Sequence, residues 1–279
     1  EIATMVAAMG SVWRRISFAR RMFCAVSERK VAANGAMLHV ATSGTQGPAL
    51  ICMPGAMGTA ETDFGPQLRS LCDAFQVVSF DPRGYGQSRP PRRTFPTDFY
   101  QRDADDAAAI MDALGHKSYN VMGWSDGAIS AVLLAAAKKQ ATEKLVIFGG
   151  NAYMSASDLE AFEATRDIAS WSQRMRDTHL PVYGDELQPM WSDAIDAWGR
   201  IVKEQGGDIC MKQAKSLTCP TLVLHGAKDV ICLSEHPQWF SENIPGARMH
   251  VFENGKHNLH LRFADEVNAM VKAFLLEGK

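Results

Sequence analysis

Short apolar runs that do not alternate, each followed by a longer stretch of helical period, restrict this chain most. Strands are expected at residues 37–41, 49–53, 76–80, 119–124, 144–148, 221–225 and 248–252. Most are aliphatic or β-branched throughout, as strands covered on both faces must be. Between them the pattern predicts helices over 61–75, 98–114, 126–139 and 258–276. A β-rich start followed by repeated strand–helix units implies an α/β protein with a mostly parallel sheet flanked by helices. The 279 residues suffice for one large domain with an insertion. That insertion is legible: residues 154–218 read as helical with no convincing strand, and they carry Trp171, Trp191 and Trp198. Loops at the carboxyl ends of parallel strands surround the ligand crevice, so such a segment would roof it as a lid. For any single tryptophan, packing within the lid is the simpler expectation. The core is then 28–153 together with 219–279.

Composition excludes several classes of protein. The 29 Lys and Arg nearly balance 31 Asp and Glu, giving a net charge of −2, whereas a mainly electrostatic nucleic-acid binder needs a basic surplus. No apolar run approaches the roughly 18 residues required to span a bilayer. The six cysteines lie far apart with no CxxC pair, so neither a disulfide scaffold nor a zinc ribbon is indicated; free thiols are expected, with no metal and no cofactor. Residues 1–27 contain Arg14, Arg15, Arg20 and Arg21 among apolar side chains, with no acid between Glu1 and Glu28. This resembles a mitochondrial transit segment; a basic disordered arm is the alternative. The chain opens on Glu1, which reads as a translated fragment with Met5 as its start.

The strongest local signal is Gly123-Trp124-Ser125-Asp126-Gly127, placed between the expected strand 119–124 and a helical stretch. This is the G-x-S-x-G pattern in strand–turn–helix context, where the serine occupies a strained turn and the glycines let neighbouring backbone approach. A chain of this composition yields about 0.1 chance matches, so the pattern alone is moderate evidence. Its partners make it specific. A serine hydroxyl needs a general base, and the base needs an orienting acid. Asp229 follows the strand ending at His225, and His257 lies in a glycine-containing loop just before the final helix. The order Ser, Asp, His at successive strand ends is that of a Ser-His-Asp hydrolase. His39, His116, His179, His225, His236 and His250 fall in or beside expected elements. His260 is the nearest rival base, but it is expected to begin the helix and face elsewhere. Asn151 cannot supply the carboxylate, and Glu253 is a poorer candidate than Asp229. An oxyanion hole would combine the N–H of Asp126 with one from Pro54-Gly55-Ala56-Met57-Gly58, where Ala56 is the expected donor. Arg83, in Asp81-Pro82-Arg83-Gly84-Tyr85-Gly86-Gln87-Ser88, is expected to organise its loop rather than take part in chemistry.

These residues resemble the α/β-hydrolase superfamily. The stretches Glu61-Thr62-Asp63-Phe64-Gly65-Pro66-Gln67-Leu68, 81–91, 123–127 and 255–266 are similar to its biphenyl hydrolase-like branch of α-amino-acid ester hydrolases, over nearly all of the chain from Val31 onward. The resemblance implies an eight-stranded sheet with a helical lid, a mitochondrial location, and hydrolysis of α-amino-acid esters, nucleoside ester prodrugs included. It also implies that Asp126 holds the substrate's α-ammonium group. A carboxylate beside the nucleophile would indeed repel anions and attract a cation, although a negative charge also suits a helix N-terminus. The chain departs from the branch at Ala128, and at Ala161, Ala164 and Thr165 of the first lid helix, which would alter the acyl pocket if that helix lines it. The expected activity is a monomeric serine esterase on small cationic substrates, with Ser125 as nucleophile, His257 as base, Asp229 behind it, and Ala56 and Asp126 holding the oxyanion. The rivals are a carbon–carbon bond hydrolase of ring-cleavage products, whose anionic substrates Asp126 would repel, and a non-catalytic binding protein on the same scaffold.

Overall fold

A computed structural model describes residues 24–278; the transit-like reading falls on residues 1–23 and so lies outside the described residues, apart from its last four. Eight strands form one sheet: β1 (Ser27–Ala33), β2 (Ala36–Ser43), β3 (Ala49–Met53), β4 (Gln76–Phe80), β5 (Tyr119–Trp124), β6 (Thr142–Phe148), β7 (Thr221–Gly226) and β8 (Arg248–Phe252). Their spatial order is β1-β2-β4-β3-β5-β6-β7-β8. β2 runs antiparallel to both β1 and β4, and every other pairing is parallel. The central strands β3 and β5 are buried almost end to end, as their unbroken apolar sequences require.

β1 begins at Ser27 and is a correction to the expected start of the fold. It pairs with β2 through Asn34 and Gly35, both at positive φ, in the two-residue hairpin connection that Asn-Gly favours. Cys24, just ahead of it, forms a disulfide with Cys72, just after the first helix, with Cα atoms 6.2 Å apart. The expectation of six free thiols therefore fails for this pair: folding brings together two residues 48 positions apart that no spacing rule would join. Cys52, Cys210, Cys219 and Cys232 are free and buried.

Helices cover both faces. On one lie α1 (Ala60–Ser70) and, after a single turn α9 (Leu259–Arg262), the C-terminal α10 (Ala264–Leu276), packing Phe64, Leu68, Val271 and Phe274 onto the sheet. On the other lie α2 (Phe99–Ala113), α3 (Asp126–Ala137) and α8 (Glu235–Asn243), with Ile110, Ile129, Val132 and Phe240 in the core. Burying each such side chain stabilises the fold by roughly 1.5–3 kcal/mol. Between β6 and β7 the chain leaves the sheet for α4 (Ala156–Glu163), α5 (Gln173–Tyr183), α6 (Leu187–Gln205) and α7 (Met211–Lys215). Trp191 packs edge to face with Trp171, Trp198 and Phe162 in this insertion, which builds a small aromatic core of its own. No helix among the described residues is long and apolar enough to cross a membrane.

Candidate active site

β5 ends at Trp124 and α3 begins at Asp126, so the chain must reverse at one residue. That residue, Ser125, sits at φ 56°, ψ −126°, a conformation costing a non-glycine residue about 1–3 kcal/mol. The flanking glycines make the turn possible: a Cβ on Gly123 would collide with the Gly127 backbone, and one on Gly127 with the Met53 carbonyl. Ala128, which follows, is buried as the helix gets under way.

The carboxyl ends of β7 and β8 bring Asp229 and His257 to the same place. His257 Nε2 lies 3.1 Å from Ser125 Oγ, and its Nδ1 lies 2.8 Å from Asp229 Oδ2. Asp229 Oδ1 accepts the N–H groups of Ile231 and Cys232 at 2.9 and 3.0 Å, so both of its oxygens are engaged. Burial alone would raise the Asp229 pKa, but the hydrogen bonds from His257 and these two amides outweigh it and hold the carboxyl below its ordinary value. Trp124 fixes the histidine from the side: its indole N–H donates to the His257 carbonyl at 2.8 Å, and the two rings lie 5.2 Å apart. Gly55 packs against Ser125 and Trp124, so the 54–58 loop passes beside the serine; the N–H of Asp126 opens α3, where helical N–H groups lack intrahelical acceptors.

Asp126 projects into the cavity lined by Ser125 and His257, along with Tyr100, Met154, Phe162 and Trp198. A short rail holds it. Trp198 Nε1 donates to the Tyr100 hydroxyl at 2.8 Å, and that hydroxyl donates to Asp126 Oδ1 at 3.0 Å. Burial pushes the Asp126 pKa up to about 6, against the pull of Tyr100, buried Arg93 and His257. Sequence reasoning missed Tyr100 and Trp198, since each is an aromatic residue on an amphipathic helix and only the fold turns both toward one carboxylate.

Other expectations sort as follows. His260 does face away from the serine: it is wholly buried near the start of α9, its ring tilted against those of Trp124, Phe64 and Phe148, with Nε2 2.8 Å from the Asp63 carbonyl. Burial drives its pKa down to about 3. Ala161 and Ala164 are exposed, and Thr165 is half-buried with its carbonyl accepting the indole N–H groups of Trp171 and Trp191. The cavity wall from α4 is instead Asp158 and Phe162, one turn apart on the inward face. Asn151 lines the cavity with its amide donating to the Tyr153 carbonyl, while Glu253 is exposed. Arg83 pairs with buried Asp106 at 2.6 Å and donates to the Asn34 carbonyl, tying its loop to the β1–β2 hairpin. Among the described residues one trio, Asp158, Glu235 and His236, brings possible metal-ligating atoms within 4.8 Å of one another. There Asp158 and His236 already bond each other at 3.1 Å, joining the lid to α8.

Comparison with known proteins places this geometry among relatives. Residues 48–182 match the family model described as alpha/beta hydrolase fold, and residues 200–262 match that of serine aminopeptidase S33. The chain is 42% identical to Serine hydrolase BPHL of Mus musculus over 90% of its length and 87% of the relative's, and equally identical to the Homo sapiens protein of the same name. Among solved structures it resembles the 2-hydroxy-6-oxo-6-phenylhexa-2,4-dienoate hydrolase of a Rhodococcus strain, with a TM-score of 0.77 at 19% identity over 89% of this chain and 98% of that one. It also resembles the enol-lactonase of Burkholderia xenovorans, with a TM-score of 0.71 at 21% identity, covering 89% of this chain and all of the other.

Proposed function

The chain belongs to the α/β-hydrolase family and is a serine hydrolase, and from that premise we propose that it cleaves α-amino-acid esters through an acyl-enzyme on Ser125. The observation carrying this reading is the Asp126 carboxylate, held by Tyr100 in the same cavity as Ser125 and His257. An ammonium group bound there would lie on the α-carbon next to the carbonyl under attack, and its positive charge would make that carbonyl more electrophilic. His257 takes the Ser125 proton as Oγ adds to the carbonyl, and the N–H groups of Ala56 and Asp126 receive the developing oxyanion. Asp229 stabilises the imidazolium, which then protonates the departing alcohol. Water attacks the acyl-enzyme with the same histidine as base, releasing the amino acid. The arginine-rich, acid-free N-terminal stretch supports a mitochondrial location for this activity.

A fluorophosphonate probe tests the nucleophile. Wild-type protein is expected to be labelled and Ser125→Ala to be unlabelled and inactive on an α-aminoacyl ester. Labelling or turnover that survives in Ser125→Ala would overturn the assignment. Substrate class is tested by comparing an α-amino ester with its des-amino analogue: the reading requires clearly higher kcat/KM for the former.

A further inference from the structure

The loop of residues 54–58, after β3, is fixed from two opposite directions. On the core side stands Asp63 of α1, only 3% exposed. Its Oδ2 accepts the N–H of Gly55 at 2.9 Å, and its Oδ1 accepts the Thr62 hydroxyl at 2.8 Å. Gly58 lies so close that a Cβ there would overlap the carboxylate. On the lid side stands Tyr183, the last residue of α5, whose hydroxyl donates to the Met57 carbonyl at 2.8 Å. The same oxygen accepts the N–H of Gly86 at 3.3 Å. Between the two attachments the loop closes with a 3.1 Å bond from Gly58 N–H to the Gly55 carbonyl. Met57 is forced to φ 58°, an unfavourable region for its side chain that persists only under outside constraint.

Both neighbours of Ala56 are thus pinned, Gly55 through its N–H and Met57 through its carbonyl. These bonds do not touch substrate, but they set the orientation of the peptide that presents the Ala56 N–H. We propose that Asp63 and Tyr183 are positioning residues that clamp the oxyanion loop between core and lid, so that seating of α5 completes the hole. The inference rests on the proposed role of the Ala56 N–H and adds a specific consequence: lid position and oxyanion stabilisation are coupled through one phenol. An oxyanion donor contributes only when it stands where the charge develops. A loosened loop therefore weakens transition-state binding and leaves ground-state binding intact.

Tyr183→Phe in the full chain is the cleanest test. It removes one oxygen and keeps the ring packed on Tyr85, at 6.2 Å, and under the Arg89 guanidinium, at 4.9 Å. Full deletion of a hole donor costs about 10²–10³ in kcat, so a donor left present but misaligned is expected to cost about tenfold. Turnover of an α-aminoacyl p-nitrophenyl ester should fall about tenfold in kcat with KM unchanged. Inhibition by a 1-aminoalkylboronic acid, which forms a tetrahedral adduct on the serine, should weaken by the same factor. Inhibition by the matching amino alcohol, which forms none, should not change. Asp63→Ala should repeat this pattern, whereas Asp63→Asn, which keeps an acceptor for the Gly55 N–H, should recover most of the loss; if Asp63→Ala does not fold, Tyr183→Phe and Asp63→Asn still decide the matter. Wild-type kcat and boronate affinity in Tyr183→Phe, or equal weakening of boronate and amino alcohol, would overturn the clamp. Failure of the underlying reading is separate, because it would appear as activity in Ser125→Ala.

Discussion

Replacing Asp126 by Asn should make the protein more stable and less active, and both magnitudes follow from the site. Burial lifts this carboxyl from its ordinary 3.8 to about 6. The sign follows from proton uptake. Between these two values the folded state holds a proton that the unfolded chain has released, so stability falls as pH rises through this interval. At 1.36 kcal/mol per tenfold change, the ionised form costs the folded state up to about 3 kcal/mol above pH 6. Water entering the cleft reduces this, so a gain of about 1–3 kcal/mol is expected for Asn, whose carbonyl can still accept the Tyr100 hydroxyl. For a chain of this size that is a rise of roughly 2–5 °C in Tm at pH 8. At pH 4 the two proteins should melt together, because wild-type Asp126 is then largely neutral. Catalysis should move the other way. A unit charge pair at about 4 Å in an effective dielectric near 20 is worth about 4 kcal/mol, and desolvation of the ammonium offsets part of it. A net loss of about 2–3 kcal/mol corresponds to a fall of roughly 30- to 150-fold in kcat/KM for an α-amino ester, and the des-amino ester should be nearly unaffected. The assay is paired: thermal melts at pH 4 and 8, and kinetics on the two esters. Equal losses on both esters would refute the ammonium role. An Asn variant that melts below wild type at pH 8 would refute the electrostatic account of the site.

Two further outcomes follow from neighbouring groups. Asp229→Asn keeps the shape of the site but removes the charge behind His257, so kcat should fall by about 10⁴, as steady-state kinetics would show. His260 has its pKa pushed down to about 3 by burial, so the unfolded chain binds a proton near pH 6.5 that the folded one refuses. Stability from this group is present above pH 6.5 and lost as pH falls toward 3, at about 1.4 kcal/mol per pH unit; urea midpoints across pH 4–7 should decline less steeply in His260→Gln.

The parts of the molecule that could be read from the chain are those in which local pattern and tertiary role coincide. β3, β5 and β7 are apolar because both faces are covered, and Ser125, Asp229 and His257 stand at strand ends that the same runs define. β1 escaped because Ser27–Ala33 is an edge strand, exposed along most of its length and therefore polar; the Asn34-Gly35 turn was its one local mark. The predicted helix 258–276 is in fact α9 and α10 with a break at Phe263, which lets His260 turn inward. Ala161 and Ala164 would border the acyl group only if their face of the first lid helix lined the pocket, and the face that does carries Asp158 and Phe162. Which face of an eight-residue helix looks inward depends on how it docks, and its short sequence does not say. Tyr100, Trp198 and Tyr183 carry no motif, and Asp63 is marked only by the 61–68 resemblance, because their roles arise from contacts that join separate elements.

The placement of these supports follows from the difficulty of the site itself. Ser125 holds an unfavourable backbone conformation, Met57 holds another, and Asp126 is an acid that burial discourages from ionising. Each would relax if its surroundings were soft, so each must be held by something stiffer. Ser125 is held by the covered strand β5 and by glycine contacts that admit no side chain. Met57 and Asp126 lie where the core meets the inserted helices, and their supports come from both: Tyr183 and Trp198 belong to the insertion, Asp63 and Tyr100 to the core. Deleting or loosening the insertion would therefore not merely open the cavity. It would release the strained loop and the rail behind the carboxylate together. The insertion is in this sense part of the catalytic frame, and the aromatic packing of Trp171, Trp191 and Trp198 supplies the rigidity that a frame requires.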